Sequence, residues 1–523
     1  MFAGEPRCQE EDVSAPRCLQ VSRSARKKMS AHRNVCSEVT KNNLNQSLLQ
    51  MECHFTWGLL RDDTNLDDLE DRMYEQIEFG ITENKSMVYN LLAYAKHLKG
   101  NNAEAIESLQ KAAHFIQKNH TDDQDRKSIV TYGNFSWVYY HLNQLDDAHT
   151  YITKVEDACK ALSSPFRYKV QLSEIYGEQG WSCLKFAGRY YEKAKDCFQK
   201  ALELEPDEPE WNYGYAIAEY RLYGFFKQKT TESDGEILEL LRRAVKLNPR
   251  ETVVMSLLSL KLQEMKQYEE AEQYMNEALE KTPDLPYLLR YAAKFYRKKG
   301  SPDESLKLLK RAINLTPTSG ILHHQIGLCY REKLNQMKKN EKYSKLSYPP
   351  RSSNVEKEEL IRNAIYHFEL VVEKKPMFIY AYTDLANMYV EANQYEKAEE
   401  TFTKVLAMAN LTPQESQQVN LNYGRYLEYH KKSETEAIRH YKRGLMIKDA
   451  NYERHMCKVC LKRLAEKMLQ RNARNATAFG ALGYMHQLDG EKMEAIECYE
   501  KALQLEPDNE EYLSGLCDMR LSI

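Results

Sequence analysis

The 523-residue chain lacks several features that would place it in a familiar class. No apolar run approaches the roughly 18 to 20 residues that a membrane span needs, and the N-terminal segment has no hydrophobic stretch typical of a secretory signal. The phosphate-binding GxxxxGK[ST] loop, the HExxH zinc motif and the GxSxG nucleophile motif are also missing. These absences argue against a membrane protein, a secreted protein and the commonest hydrolases.

An excess of charge of one sign is lacking as well, since 74 basic and 77 acidic side chains give a formal net charge of −3. Any attraction to nucleic acid must therefore come from local segregation of charge. The twelve cysteines form no regular framework, and no second Cys or His pair at zinc-binding spacing accompanies Cys457 and Cys460. We expect reduced thiols, a cytoplasmic protein, and no metal or other cofactor.

What the sequence has is self-similarity. Pro249, Pro283 and Pro317 recur at intervals of 34 residues, which is the period of the tetratricopeptide (TPR) helix–turn–helix unit. Each copy pairs a small residue, which lets two helices approach, with a large one that fills the space between them. The small residues include Ala271, Ser305 and Ala398, and the large ones Phe198, Leu309 and Phe402. We predict an all-α superhelical solenoid of about ten helix pairs enclosing a basic channel.

Breaks in the repeat pattern suggest four segments. They are a disordered extension at 1–28, an N-terminal superhelix at 29–285, central repeats at 286–375 and C-terminal repeats at 376–523. Within the central repeats, the basic insertion 331–359 predicts an extended helix followed by a loop. Residues 223–236 lengthen the fourth helix pair, and Met29 could equally be the start of a shorter chain.

The stretch from Leu285 to Gly300 concentrates five basic residues and three tyrosines. Counted back from Pro317, its repeat begins at Pro286, and four polar side chains then share one helical face. They are Tyr287, Arg290, Lys294 and Arg297. In a TPR array this face of the first helix lines the concave channel. An ordinary solvated helix would mix charges, whereas this stripe contains no acid.

The same count places further side chains on the channel face: Glu210, Tyr213, Ile217 and Arg221 in one repeat, His324 and Arg331 in another. Cations that follow phosphates and rings that stack on bases suit a single-stranded nucleic acid. Glu210 is an acid among these cations. It either accepts N–H donors from a base edge, guanine being the obvious candidate, or forms a salt bridge with Arg221.

Five stretches resemble the interferon-induced proteins with tetratricopeptide repeats, the IFIT family. They are CHFTW (53–57), YNLLAYAKHLKG (89–100), LLRYAAKFYRKKG (288–300), LHHQIGLCYR (322–331) and FIYAYTDLANMY (378–389). The resemblance covers essentially residues 29–523. It implies an antiviral protein of innate immunity that binds the 5′ end of foreign single-stranded RNA and blocks its translation or replication. The recognised ends would be a 5′-triphosphate and a cap lacking ribose 2′-O-methylation.

The resemblance also implies roles for individual residues. The 5′-phosphates would be bound by Gln76, Lys185, Tyr191, Arg221, Tyr287, Arg290, His324 and Gln325. The cap or first base would be held by Arg72, Trp181, Glu210 and Ile217, and the RNA channel would continue along Lys294, Arg297 and Arg331. Gly80 stands where cap-binding relatives have a leucine, and Asp68 replaces a glutamate of triphosphate-binding relatives. The missing side chain at Gly80 favours phosphate capture over cap capture.

The main alternative is a TPR scaffold that binds protein tails, but the basic and aromatic face runs through more repeats than such clamps use. An enzyme is not expected, because a His324–Glu210 acid–base pair would have no nucleophile or metal set beside it. Residues 499–505 resemble a family self-association segment, but the TPR core explains the same residues fully, and core packing is the preferred interpretation. We therefore expect a monomer more than a stable dimer, with related TPR proteins as possible partners. The insertion and residues 460–474 are further candidates for the RNA path.

Overall fold

The structure, a computed structural model, describes residues 41–80, 84–120, 122–226, 231–343, 351–409, 411–448 and 451–522. Within these ranges all regular secondary structure is helical, which confirms the predicted all-α class. None of the helices described there is long and apolar enough to cross a membrane. The predicted extension at 1–28 and the alternative start at Met29 lie outside the described residues.

The first half of the array starts with a helical segment, α1, at residues 41–48. The helices that follow it are α2 (Leu66–Phe79), α3 (Lys85–Leu98), α4 (Asn102–Asn119), α5 (Gln124–His141), α6 (Leu145–Ala161), α7 (Ser173–Phe186), α8 (Tyr191–Leu204), α9 (Pro209–Phe226), α10 (Thr231–Leu247), α11 (Thr252–Glu264) and α12 (Tyr268–Lys281). Short 3₁₀ turns occur at Arg61–Asp63 and Gly188–Tyr190.

The second half continues in the same manner. Its helices are α13 (Pro286–Lys298), α14 (Pro302–Leu315), α15 (Gly320–Tyr343), α16 (Arg351–Lys374), α17 (Ile379–Glu391), α18 (Tyr395–Leu406), α19 (Pro413–Tyr426), α20 (Glu434–Met446), α21 (Tyr452–Arg471), α22 (Ala476–Asp489), α23 (Lys492–Leu505) and α24 (Glu510–Leu521). One π-helical turn, Leu427–Lys431, extends α19.

Neighbouring helices pack in pairs, from α3–α4 through α19–α20, with a further pair α22–α23. These ten pairs confirm the predicted number among the described residues. First helices of successive pairs also touch, as α5 touches α7 and α13 touches α15, so the first helices form the inner layer of the solenoid. Helix α21 lies between the ninth and tenth pairs, and α24 packs on α23 at the end of the array.

The repeat register predicted from the sequence is confirmed by burial. The small residues Ala271, Ser305 and Ala398 are fully buried, and so are the large residues Phe198, Leu309 and Phe402. In the last pair Tyr499 and Ala502 belong to the buried core, which supports the core interpretation of 499–505. The division of the repeats at 285 and 375 stays a prediction.

Both predicted interruptions lengthen helices. Helices α9 and α10 have 18 and 17 residues, and α15 and α16 have 24 each. The loop predicted for the end of the insertion is partly wrong, because α16 already begins at Arg351. Its sequence from Glu356 onward is rich in Glu, Lys and Leu, which are strong helix formers.

Two glycines of α9 provide a test of the packing. A Cβ atom at Gly214 would lie 2.3 Å from the ring of Phe198, whereas nothing lies within 4 Å of one at Gly224. We expect Gly214→Ala to destabilise the fold by about 1–3 kcal/mol through overpacking. Gly224→Ala, the matched control, should leave stability unchanged or raise it, since alanine is the better helix former. Thermal unfolding midpoints would measure both, and equal midpoints would contradict the register.

Candidate nucleic-acid interface

A cavity of about 560 Å³ opens on the inner layer of the N-terminal half. Its walls come from α2, α7, α9 and α13, together with the turn that precedes α11. All four channel residues predicted for the α9 repeat face it: Glu210, Tyr213, Ile217 and Arg221. Gln76, Trp181, Lys185 and Tyr287 line the same space. The repeat register therefore located one wall of this cavity correctly.

A second, smaller cavity of about 180 Å³ adjoins the first, because Glu75 and Tyr287 line both. It is bordered by Arg72 and Arg290. Arg72 thus borders the small cavity beside Arg290, whereas Trp181, the other residue predicted for the cap pocket, lines the large one. Arg72 Nη1 donates a hydrogen bond to the backbone oxygen of Lys185 over 2.9 Å, which ties α2 to α7.

Helix α2 borders both cavities and is linked to the opposite wall through Asp68. Asp68 forms an ion pair with Lys375, from the turn between α16 and α17, and another with Arg72 Nε at 3.1 Å. Burial raises the pKa of the Asp68 carboxyl, but the two cations outweigh burial and the net pKa is lowered. Although position 68 has an aspartate in place of the glutamate noted above, its charged carboxylate therefore still pairs with Lys375 on the opposite wall.

Three cations at the cavities are held without carboxylate partners. Lys185, Arg221 and Arg290 form no ion pair with a carboxylate of the described residues. Arg221 Nη1 donates to the backbone oxygen of Leu184 over 3.0 Å, and its guanidinium lies 5.5 Å from the ring centre of Tyr191. The Arg290 guanidinium lies 4.4 Å from the ring centre of Tyr287.

The titration of neighbouring groups reflects this concentration of positive charge. Burial lowers the pKa of the Lys185 ammonium to about 8, with Arg72 and Arg221 adding to the shift and Glu210 opposing it. Burial raises the pKa of the Tyr291 phenol. The charges of Arg290, Arg221 and Lys294 outweigh burial there and lower that pKa to about 8. A bound anion would compensate these positive charges and so reduce the electrostatic cost of holding them together.

Three of the residues predicted for the cap pocket line the large cavity: Trp181, Glu210 and Ile217. Trp181 packs edge-on against Tyr213 with ring centres 5.1 Å apart, and the Lys185 Nζ lies 5.3 Å from its ring. Glu210 accepts a hydrogen bond from the side-chain amide of Asn84. The alternative salt bridge between Glu210 and Arg221 is not present between these two described residues, since Arg221 is bound to Leu184 instead.

Burial raises the pKa of Glu210 to about 7, against the opposing effects of the Asn84 hydrogen bond and of the charges on Lys185 and Lys127. As a carboxylate Glu210 accepts N–H donors at both oxygens, whereas protonation turns one of the two oxygens into a donor.

Four of the predicted residues lie elsewhere, in a second cluster around Asp384 of α17. His324 Nε2 is 2.8 Å from an Asp384 oxygen, and Arg331 pairs with the other oxygen. Arg297 Nη2 donates to Gln325 Oε1 over 2.8 Å. The structure therefore groups His324 and Gln325 with the predicted channel residues. It does not bring His324 to Glu210, so no acid–base pair forms between them.

Sequence reasoning missed several residues of the cavity walls. Tyr291 lies one helical turn after Tyr287 and beside Arg290, so helical spacing alone had the signal to find it. Glu75, Glu251 and Asn84 also line the cavity, but they come from α2 and from the turns before α11 and α3. No motif marks them in the sequence.

In two other basic segments, several cations are paired with carboxylates. Arg463 and Arg471, in the late basic run, bind Glu428 and Glu434, and Lys333 of the insertion binds Asp303. Cys457 and Cys460 are buried in the hydrophobic core of the C-terminal half. These features correspond to ordinary surface and core.

The fold and the site define a class: a TPR solenoid with a positively charged pocket on its inner layer. Sequence models of the tetratricopeptide repeat match residues 88–113, 182–208 and 255–284, 383–452 and 476–509. The chain is 47% identical over 465 residues to the antiviral innate immune response effector IFIT1 of Homo sapiens, covering 89% of this chain and 96% of that protein. It belongs to the IFIT family.

Two solved structures of relatives superpose on it. One is an IFIT1 monomeric mutant with Gppp-AAAA, at a TM-score of 0.82 and 46% identity, covering 88% of this chain and all of that chain. The other is the human IFIT1 dimer with PPP-AAAA, at a TM-score of 0.77 and 44% identity, covering 89% of this chain and all of that chain.

The ion pair between Asp68 and Lys375 predicts how α2 is held. We expect Lys375→Met to raise amide hydrogen exchange in α2 about tenfold, because a buried charge-assisted hydrogen bond is lost. Lys374→Met, an exposed neighbour, is the matched control and should leave α2 unchanged. Equal exchange in α2 for both variants would mean that the ion pair does not hold the helix.

Proposed function

We propose that this protein captures the 5′ end of foreign single-stranded RNA, carrying either a triphosphate or a cap without ribose 2′-O-methylation. It would act in the cytoplasm as an interferon-induced antiviral effector, by binding and not by catalysis. The observation that carries the proposal is the set of half-buried cations, Lys185, Arg221 and Arg290, which face the cavities without carboxylate partners among the described residues.

A 5′-triphosphate has the chemistry that this set requires. It concentrates several negative charges at one end of the chain, and Arg and Lys bind phosphate oxygens by strong charge-assisted hydrogen bonds. Helix α2 covers the cavity on one side through Gln76 and Glu75. An enclosed pocket admits the end of a strand and excludes internal phosphates by shape, so the end itself is the recognised feature.

The predicted cap residues supply a place for a base beside the phosphates. Trp181 offers an aromatic surface, Ile217 an apolar contact and Glu210 an acceptor for a guanine edge. Gly80 also lines this space and contributes no side chain to close it. We therefore propose that phosphate contacts contribute more to affinity than base contacts do.

The relatives support this proposal. The structure of human IFIT1 with PPP-AAAA carries a triphosphate RNA end, and the IFIT1 mutant with Gppp-AAAA carries a guanosine-capped one. Most of the residues proposed for the two classes of end line the two adjoining cavities of this chain. His324, Gln325, Lys294, Arg297 and Arg331 are proposed to contact the nucleotides that follow.

The first test compares one short RNA with four 5′ ends: hydroxyl, triphosphate, cap without 2′-O-methylation and cap with it. We expect the triphosphate and the unmethylated cap to bind at least tenfold more tightly than the hydroxyl. Arg290→Met should lose about tenfold or more of the triphosphate affinity. Lys298→Met, on the exposed side of the same helix, is the matched control. Equal binding of all four ends would favour the protein-binding scaffold.

The lowered pKa of Lys185 predicts a pH dependence. Lys185 is charged below pH 8 and loses its proton above it, so triphosphate RNA should bind progressively more weakly as the pH rises from 7 to 9. Lys185→Arg keeps its charge throughout this range and should flatten the profile. Binding titrations at constant ionic strength measure this, and identical profiles for the two proteins would rule out a role for the Lys185 proton.

A further inference from the structure

Two hydrogen bonds in series connect Lys127 to Glu210, which lines the large cavity. Lys127 of α5 donates from Nζ to Asn84 Oδ1 over 3.1 Å, and Asn84 Nδ2 donates to Glu210 Oε2. A lysine ammonium is a donor only, so its contact fixes which end of the amide is the oxygen. The amide nitrogen must then point toward Glu210. Lys127 thereby sets the orientation in which Asn84 supports the carboxylate.

Lys127 is placed to act on Glu210 and not on RNA. It borders a separate space of about 20 Å³ behind Asn84, while Asn84 and Glu210 line the large cavity. Its neighbour Arg126 is bound to Glu174, whereas Lys127 has no ion pair with a described carboxylate. Its charge is therefore available to the Asn84–Glu210 pair.

We propose that Lys127 is a positioning residue that, through Asn84, orients Glu210 and favours its anionic form, and so makes the base pocket select guanine. This inference rests on the proposed capture of capped RNA. A neutral Glu210 keeps one oxygen as an acceptor but turns the other into an O–H donor, so it can no longer accept from two guanine N–H donors with both oxygens. Lys127 thus strengthens the pairing with guanine at neutral pH.

The charged groups around Glu210 agree with this role. Those that interact with it are Lys185 and Glu178 of α7, Lys127 of α5 and Glu208, just before α9. Glu75 of α2 and Arg250 and Glu251 before α11 line the same cavity. Acids are numerous in this set, and Glu178 is itself buried with its pKa raised to about 8. The cations Lys185 and Lys127 are the ones whose charges lower the pKa of Glu210, so removing Lys127 must raise it.

The test uses the full chain and two RNAs that differ only at the 5′ end, one with a triphosphate and one with an unmethylated guanosine cap. At pH 7 we expect Lys127→Met to bind the capped RNA about tenfold more weakly and the triphosphate RNA within twofold of the parent protein. Lys127→Arg should restore capped binding. Lys118→Met, an exposed lysine of α4, controls for the loss of one positive charge.

Two further readouts separate positioning from a merely structural role. Between pH 6 and 7.5 capped binding by the parent protein should strengthen as Glu210 loses its proton, and Lys127→Met should shift that rise to higher pH. In an Asn84→Leu background, Lys127→Met should weaken capped binding less than it does in the parent protein, because the part of its effect that passes through Asn84 is already lost.

The outcomes are distinguishable. If the parent protein shows no preference for either RNA over a 5′-hydroxyl RNA, the proposed function fails and this inference with it. If the parent binds capped RNA but Lys127→Met weakens both RNAs equally, or neither, only the role of Lys127 is overturned. Additive losses in the double variant would also overturn it.

Discussion

Like charges held close together and partly shielded from water repel one another, and this repulsion is the constraint on which the interior of the solenoid depends. Lys185, Arg221 and Arg290 are brought toward one space without carboxylates to neutralise them. Aromatic faces and backbone oxygens relieve part of the cost: Tyr287 lies under Arg290, and the Leu184 oxygen accepts from Arg221. The remaining cost is offset only when an anion binds, so the free protein holds a prepared site.

The repeat architecture makes such a concentration possible. Each first helix of a TPR pair buries one face in its own repeat and presents the opposite face to the inside of the superhelix. Helices α7, α9 and α13 then contribute to one cavity although each supplies only a few side chains. Helix α2 lies outside this repeat pattern and is tied to both walls, by Arg72 to α7 and by Asp68 to Lys375.

Much of this could be predicted from the sequence, for physical reasons that differ by element. The 34-residue period fixes the helix pairs, and from it the inward positions of Ile217 and Arg221 follow by counting. Contacts between distant repeats could not be counted in this way. His324 occupies a channel-facing position of its repeat by the same count, yet its side chain is bound by Asp384 of the next repeat. Lys375 and Asn84 lie in turns, where no periodicity exists to reveal them.

The most direct measurement is the structure of this protein bound to a four-nucleotide RNA carrying a 5′-triphosphate. We expect the triphosphate between α2, α7 and α13, within hydrogen-bonding distance of Lys185, Arg221 and Arg290, with the following nucleotides directed toward the Asp384 cluster. RNA bound on the outer layer of the solenoid, or along the paired basic run at 460–474 with the inner cavity empty, would contradict the central role of these three cations.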